Sequence, residues 1–141
     1  MNYNAIISWV LRSRMHGLLS GGMMLITVTG RKTGRQITTP VQYLLANDVL
    51  WVTSTRQRTW WRNLRDGADV TLRLRGKEVC GRAEVIEEAQ AVEKGFQAYF
   101  HLAPKSARYY NVKLDSTGKP EAGDIASLSQ KRVLIQICLG G

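Results

Sequence analysis

The chain has 141 residues, 44% of them hydrophobic, and its 20 Lys and Arg outnumber 11 Asp and Glu to give a net charge of +9. Core-forming residues recur along almost the whole length, which excludes a disordered chain. No apolar run reaches the ~20 residues needed to cross a bilayer as a helix, which excludes a helical membrane span.

The charge is unevenly placed. Residues 31–82 hold eleven cations and four anions, a net of +7, whereas residues 83–141 balance at seven of each. Such a block points to a local anion site more than to general solubility. The two cysteines, Cys80 and Cys138, are too few for a disulfide framework or a Cys-rich metal site, and they read as small buried residues. His16 and His101 have no partner at metal-ligand spacing, so no metal is expected.

Residues 4 to about 19 set Ile6, Ile7, Val10, Leu11 and Leu18 on one stripe, predicting a short amphipathic helix that stops at Gly21-Gly22. No basic stretch precedes its apolar run, so it does not read as a signal peptide and a cytoplasmic location is expected. A basic helix of this kind could also touch a membrane surface peripherally. Met23 to Thr29 then reads as a strand, and the turn Gly30-Arg31-Lys32-Thr33-Gly34-Arg35 separates it from a second strand over Ile37 to Leu45. Pro40 inside that second run requires an edge or a bulge. Asn47-Asp48 signals a turn into a third strand, Val49 to Ser54.

Thr59 to Asp66 predicts a helical turn, with Thr59 as its cap and Gly67 as its stop. Val70, Leu72 and Leu74 alternate with Thr71, Arg73 and Arg75 as a half-buried strand, and Glu78 to Ile86 follows as another. Glu87 to about Phe100 reads as a helix. Residues 101–123 are irregular, Asp124 is expected to cap a short helix through Ser129, and Val133 to Leu139 closes the chain as a strand apolar on both faces apart from Gln136. The expected architecture is therefore mainly β within an α+β class. It is a six-stranded antiparallel closed or split β-barrel with an N-terminal helix and peripheral helices. It forms one domain over 1–141, with helix and linker in 1–22 and barrel in 23–139. The apolar last strand leaves a homodimer open.

The basic turn is the strongest local signal. Three cations and two glycines between strands offer charge and exposed backbone N–H groups to an anion, with arginine suited to forked contacts. It lacks the Gly-Lys-Ser/Thr of a P-loop, and a strand follows it where a P-loop has a helix. A solvated hairpin with incidental charge is the plain alternative.

The segment Leu25 to Arg35, with Thr38-Thr39-Pro40-Val41 after it, resembles the deazaflavin-dependent nitroreductase family of the flavin-binding split β-barrel group. Trp60-Trp61-Arg62-Asn63-Leu64-Arg65 is similar to that family's Trp-aromatic-x-Asn-Leu signature, and it too lies after the third strand. The resemblance implies a reductase that takes a hydride from the reduced deazaflavin coenzyme F420 to a small organic acceptor, a quinone, nitroaromatic or other conjugated compound. It assigns Arg31, Lys32 and Arg35 to the cofactor's phosphate and acidic tail. Thr39, Pro40 and Val41 become a backbone ledge beneath the ring system. Thr53, Ser54 and Thr55 meet the ring edge, and Trp60 and Asn63 wall and anchor the site. It places the acceptor near Tyr109 and Tyr110, whose phenols could hold the acceptor's oxygen or relay a proton.

The family's longer members carry a Gly- and Pro-containing loop where this chain has only Thr55-Arg56-Gln57-Arg58-Thr59, so Arg56 or Arg58 could replace some ring-edge contacts. The breadth of positive charge favours F420 over FMN, the alternative cofactor. A cofactor carrier without turnover is a further reading. A nucleic-acid-binding barrel using Arg73, Arg75, Lys77 and Arg82 beside the tryptophans is disfavoured, because the aromatics do not alternate along adjacent strands as a stacking platform needs.

Overall fold

Period-two alternation of apolar and polar residues dominates the middle of the chain, and it builds strands that each bury one face. The computed structural model describes residues 20–46 and 49–139. The helix predicted over 4–19 and the Asn47-Asp48 turn lie outside the described residues. Six strands form the barrel: β1 (Ser20–Thr29), β2 (Gln36–Ala46), β3 (Val49–Thr55), β4 (Ala68–Leu74), β5 (Lys77–Ile86) and β6 (Arg132–Leu139). Every pairing is antiparallel, and the sheet closes in the order β1-β2-β3-β6-β5-β4. A 3-10 helix, Trp60–Leu64, links β3 to β4. Helices α1 (Ala89–Leu102), α2 (Ser106–Tyr109) and α3 (Ala122–Lys131) lie between β5 and β6. Among the described residues no helix is long and apolar enough to cross a membrane.

Two clusters make the core. Inward residues such as Ile26, Leu50, Leu72, Val133, Ile135 and Ile137 fill the barrel. Outside it, Trp51, Ile86 and Leu134 pack under Phe96, Phe100, Ile125 and Leu128 of the helices. Burying each such side chain contributes roughly 1.5–3 kcal/mol. The last strand is thus apolar on both faces, Gln136 apart, because barrel and helices cover both faces within one chain. Its composition gives no reason for self-association.

Cys80, expected to be buried, is exposed on β5, and three other local predictions differ from the structure. Gly21 and Gly22, read as a helix stop, are strand residues opposite Leu44 and Tyr43. At Gly22 a side chain would meet the Tyr43 hydroxyl at 3.4 Å. Thr59 precedes the 3-10 helix without a side-chain cap. Asp124 lies inside α3, whose cap is Glu121, accepting from the N–H groups of Gly123 and Asp124 at 3.1 and 2.7 Å. Sequence logic favours Asp at such a position. Here Asp124 is instead occupied with the Lys113 N–H, which donates to its Oδ2 at 3.0 Å.

Candidate functional site

The turn between β1 and β2 closes through two backbone hydrogen bonds, Gly34 N–H to the Gly30 carbonyl and Gly30 N–H to the Arg35 carbonyl, both 2.8 Å. Gly34 takes a φ of 73°, the left-handed region in which only glycine is unstrained. At Gly30 a Cβ would stand 3.1 Å from Thr33 Oγ1 and 3.3 Å from the Arg35 carbonyl, so the turn also needs glycine for space. The three cations then diverge. Arg31 lies along the 3-10 helix, its Nη1 donating to the Arg65 carbonyl at 3.4 Å and its Nη2 pairing with Asp66 at 3.7 Å. Lys32 and Arg35 are exposed, and among the described residues their side chains have no hydrogen bond or ion pair.

A cleft opens farther along β2. The β2–β3 ladder runs only from Tyr43 opposite Val52 to Ala46 opposite Val49. Before Tyr43, β2 is paired on its β1 side alone. After Val52, β3 is paired only with β6. Pro40 falls on that free edge of β2, the position a proline requires. The splayed strands bound a cavity of 370 Å³ lined by Pro40, Val41 and Gln42 on one side and Thr53, Ser54 and Thr55 on the other. Met23, Arg58, Trp60, Tyr109, Tyr110 and Arg132 complete its wall.

The third strand's end is held from behind. The Thr55 carbonyl accepts from Trp61 Nε1 at 3.1 Å and from the Arg58 N–H at 3.3 Å. Both indoles are buried, but only Trp60 reaches the cleft; Trp61 lies beneath the guanidinium groups of Arg62 and Arg65. Trp60 Nε1 is buried without an acceptor. Arg58 Nη2 donates to Thr39 Oγ1 at 3.0 Å, so buried Thr39 anchors a cation of the cleft wall without lining the cleft. Arg56 is directed elsewhere: its guanidinium donates to the carbonyls of Glu87 and Ser129 and ties the loop to the helical layer.

Tyr110 is half-buried, and Arg132 lies over its ring with 5.0 Å from guanidinium carbon to centroid. Arg132 Nη1 also reaches Thr53 Oγ1 at 3.5 Å. Burial pushes the Tyr110 phenol above its ordinary range, against the opposing pull of Arg132 and of the Tyr99 hydroxyl. Tyr99, deeper still, is raised further by burial. Tyr109 is 69% exposed and stands edge-on to Tyr110 with 4.9 Å between ring centroids. A second cavity of 420 Å³ adjoins the cleft and shares Thr55, Tyr109, Tyr110 and Arg132 with it.

The expected residues therefore fall into two neighbouring groups. Pro40, Val41, Ser54, Thr55, Trp60, Tyr109 and Tyr110 meet around the cleft. Arg31, Lys32, Arg35 and Asn63 gather at the turn, at the start of β2. Sequence reasoning missed Arg132, Met23, Gln42 and Tyr99. Arg132 opens the last strand opposite Thr55, a residue already assigned to the ring edge, a pairing that only the fold discloses.

The fold is similar to several solved structures. A putative 5-nitroimidazole antibiotic resistance protein from Bacteroides thetaiotaomicron aligns with TM-score 0.52 and 15% identity over 99% of this chain and 81% of its own. A putative pyridoxamine 5'-phosphate oxidase from Listeria innocua gives 0.52 and 13% over 99% and 95%. A conserved hypothetical protein from Mycobacterium tuberculosis gives 0.50 and 18% over 100% and 82%. At these identities the likeness is one of fold. No curated protein matches the chain. The model of one family, F420H(2)-dependent quinone reductase, matches residues 11–120, a span that includes the basic turn, both splayed strands, the tryptophan segment and both tyrosines. The chain belongs to the F420H(2)-dependent quinone reductase family, and its cofactor is coenzyme F420.

Proposed function

We propose that the protein passes a hydride from reduced F420 to a quinone, with nitroaromatic and other conjugated compounds as further acceptors, in the cleft between β2 and β3. One observation carries this reading: the strands splay where the free edge of β2 runs from the unpaired cations of the turn to the aromatic end of the cavity. From Gln36 to Pro40 an extended strand spans about 13 Å. A long ligand with a flat ring at one end and acidic groups at the other suits that span.

The residues fit the cofactor in charge and shape. Among the described residues the cleft wall contains Arg58 and Arg132 and no carboxylate, which favours an electron-rich, anionic ring system. The turn adds Lys32 and Arg35, whose charges are free for the phosphate and the acidic tail, while Arg31 bridges turn and 3-10 helix. Pro40 and Val41, on the free edge of β2, would underlie the ring, with Thr39 holding Arg58 behind them; Ser54 and Thr55 would border its edge and Trp60 would close the wall. When bound, reduced F420 supplies the hydride; the chain's own task is placement, electrostatics and exclusion of water. Tyr110, a phenol on the cleft wall that carries its proton at neutral pH, would give a proton to the acceptor's oxygen, with Tyr109 beside it.

Titration of cofactor-free protein with F420 and with FMN tests this reading, followed by oxidation of reduced F420 with menadione as acceptor. Saturable F420 binding and protein-dependent oxidation are expected. Binding of FMN alone, or oxidation no faster than without protein, would overturn it.

A further inference from the structure

The second cavity lies on the far side of Tyr110, and one face of a single helix forms its floor. Asp124, Ser127, Leu128 and Lys131 recur at the spacing of successive turns of α3, so one stripe of that helix faces the cavity. Charge is graded along the stripe. Asp124 stands at one end, its Oδ2 accepting the Lys113 N–H. Lys131 stands at the other, roughly 10 Å away at 1.5 Å per residue, and is followed in sequence by Arg132. Both cations are thus at the end that joins the cleft. Lys131 is exposed, and among the described residues its side chain has no hydrogen bond or ion pair.

The cavity is mixed in character: Asn111, Ser127 and three charged side chains stand beside Leu128 and the aromatic rings of the shared wall. A ligand reacting beside Tyr110 and extending past Arg132 would place its substituent next to two cations, with the nearest lining carboxylate a helix length away. We infer that this cavity is an acceptor subsite that selects conjugated acceptors bearing an anionic substituent, a carboxylate or sulfonate, with Lys131 and Arg132 receiving the charge. The inference rests on the cleft being the cofactor's site and deepens that reading by naming the class of acceptor.

Two probes differing in one group decide it: 1,4-naphthoquinone and 1,4-naphthoquinone-2-sulfonate. The ratio of their kcat/KM values is compared between wild type and variants, so that the different reduction potentials of the probes cancel. Lys131→Glu is expected to lower the sulfonate-to-neutral ratio by roughly fivefold or more, the size of replacing one exposed attraction with a repulsion. Lys105→Glu, in a neighbouring cavity beside Pro104 and Val112 that shares only Asn111 with this one, is the control and keeps the wild-type ratio. An unmoved ratio in Lys131→Glu, or the same fall in Lys105→Glu, overturns the subsite.

Quenching of tryptophan fluorescence in cofactor-free protein supplies a readout independent of turnover. Tighter quenching by the sulfonate than by the neutral quinone, weakened in Lys131→Glu, supports the subsite, whereas equal quenching overturns it. Failure of both quinones to oxidise reduced F420 would instead overturn the hydride-transfer reading, and the quenching comparison would still decide the subsite.

Discussion

The backbone N–H of Arg31 donates to Asn63 Oδ1 at 3.0 Å, joining residues 32 positions apart, while Asn63 Nδ2 donates to the Trp60 carbonyl at 3.0 Å. One amide side chain thereby fixes the basic turn to the short helix that carries the cleft's indole. Asn63→Ala removes both bonds, and at about 1 kcal/mol each the expected loss of stability is about 2 kcal/mol by urea unfolding. F420 affinity should fall by about tenfold as well, because the cations lose their fixed orientation. Asn63→Asp keeps the acceptor for Arg31 but loses the donor to Trp60, and should fall between the two. Wild-type affinity in Asn63→Ala would show that the bond does not orient the turn.

Lys32→Glu combined with Arg35→Glu reverses two exposed charges that have no partners among the described residues. The fold should be retained, read as unchanged far-ultraviolet circular dichroism. F420 binding should weaken by at least about a hundredfold at low salt, and the wild-type Kd should itself rise with ionic strength as the contacts are screened. A double variant that binds F420 as wild type does would remove the turn from the site.

Strand pattern, turn chemistry and the basic block are legible in the sequence, because each depends on residues close along the chain. Alternation along Val70 to Leu74 and along β5 specifies which face is buried. Pro40 announced a free edge, and the splay of β2 from β3 occurs there. What was hidden is tertiary. That Trp60 lines the cleft while Trp61 binds the Thr55 carbonyl follows from the rotation of one 3-10 helix, which adjacent identical residues cannot disclose. Arg56 and Arg58 were equal candidates by composition; the carbonyls that claim Arg56 belong to Glu87 and Ser129, distant in sequence. Arg132 stayed unseen because its partner ring, Tyr110, comes from an irregular segment with no periodicity to orient it.

Tyr110→Phe removes the proposed proton donor while keeping the ring under Arg132. The expected effect at neutral pH is a fall in kcat of about a hundredfold, the usual scale of general acid catalysis. KM for reduced F420 should change little. Tyr109→Phe, at an exposed ring, should cost far less. Stopped-flow single turnovers separate the proton-dependent step from release of products, and equal rates in Tyr110→Phe and wild type would strip Tyr110 of that role.

Alkaline pH supplies a stability test for the buried phenols. Burial raises both Tyr99 and Tyr110 above the ordinary value of 10.0. As pH climbs past 10 the unfolded chain releases these protons while the folded one keeps them, so stability is fully present below 10 and falls above it. Each group contributes a slope of up to about 1.4 kcal/mol per pH unit. Tyr99→Phe should flatten the decline measured by urea unfolding between about pH 9.5 and 11. The same slope in variant and wild type would mean that other groups govern the alkaline limb.

Adjacent tryptophans should answer the same substitution differently. Trp61→Phe deletes the donor to the Thr55 carbonyl and the indole beneath Arg62 and Arg65. The carbonyl keeps the Arg58 N–H, so losing the indole's bond costs about 1 kcal/mol, to which the lost contacts with two guanidinium groups add, read as a lower denaturation midpoint. Trp60→Phe removes an N–H that is buried without an acceptor, so it loses packing but no hydrogen bond. Its stability should stay within about 1 kcal/mol of wild type, while F420 affinity falls because the cleft wall recedes. Stability and binding thus separate at neighbouring positions, Trp61 holding the frame and Trp60 facing the ligand. The opposite pattern, with binding lost in Trp61→Phe and stability lost in Trp60→Phe, would mean that Trp61 is the indole the cofactor meets.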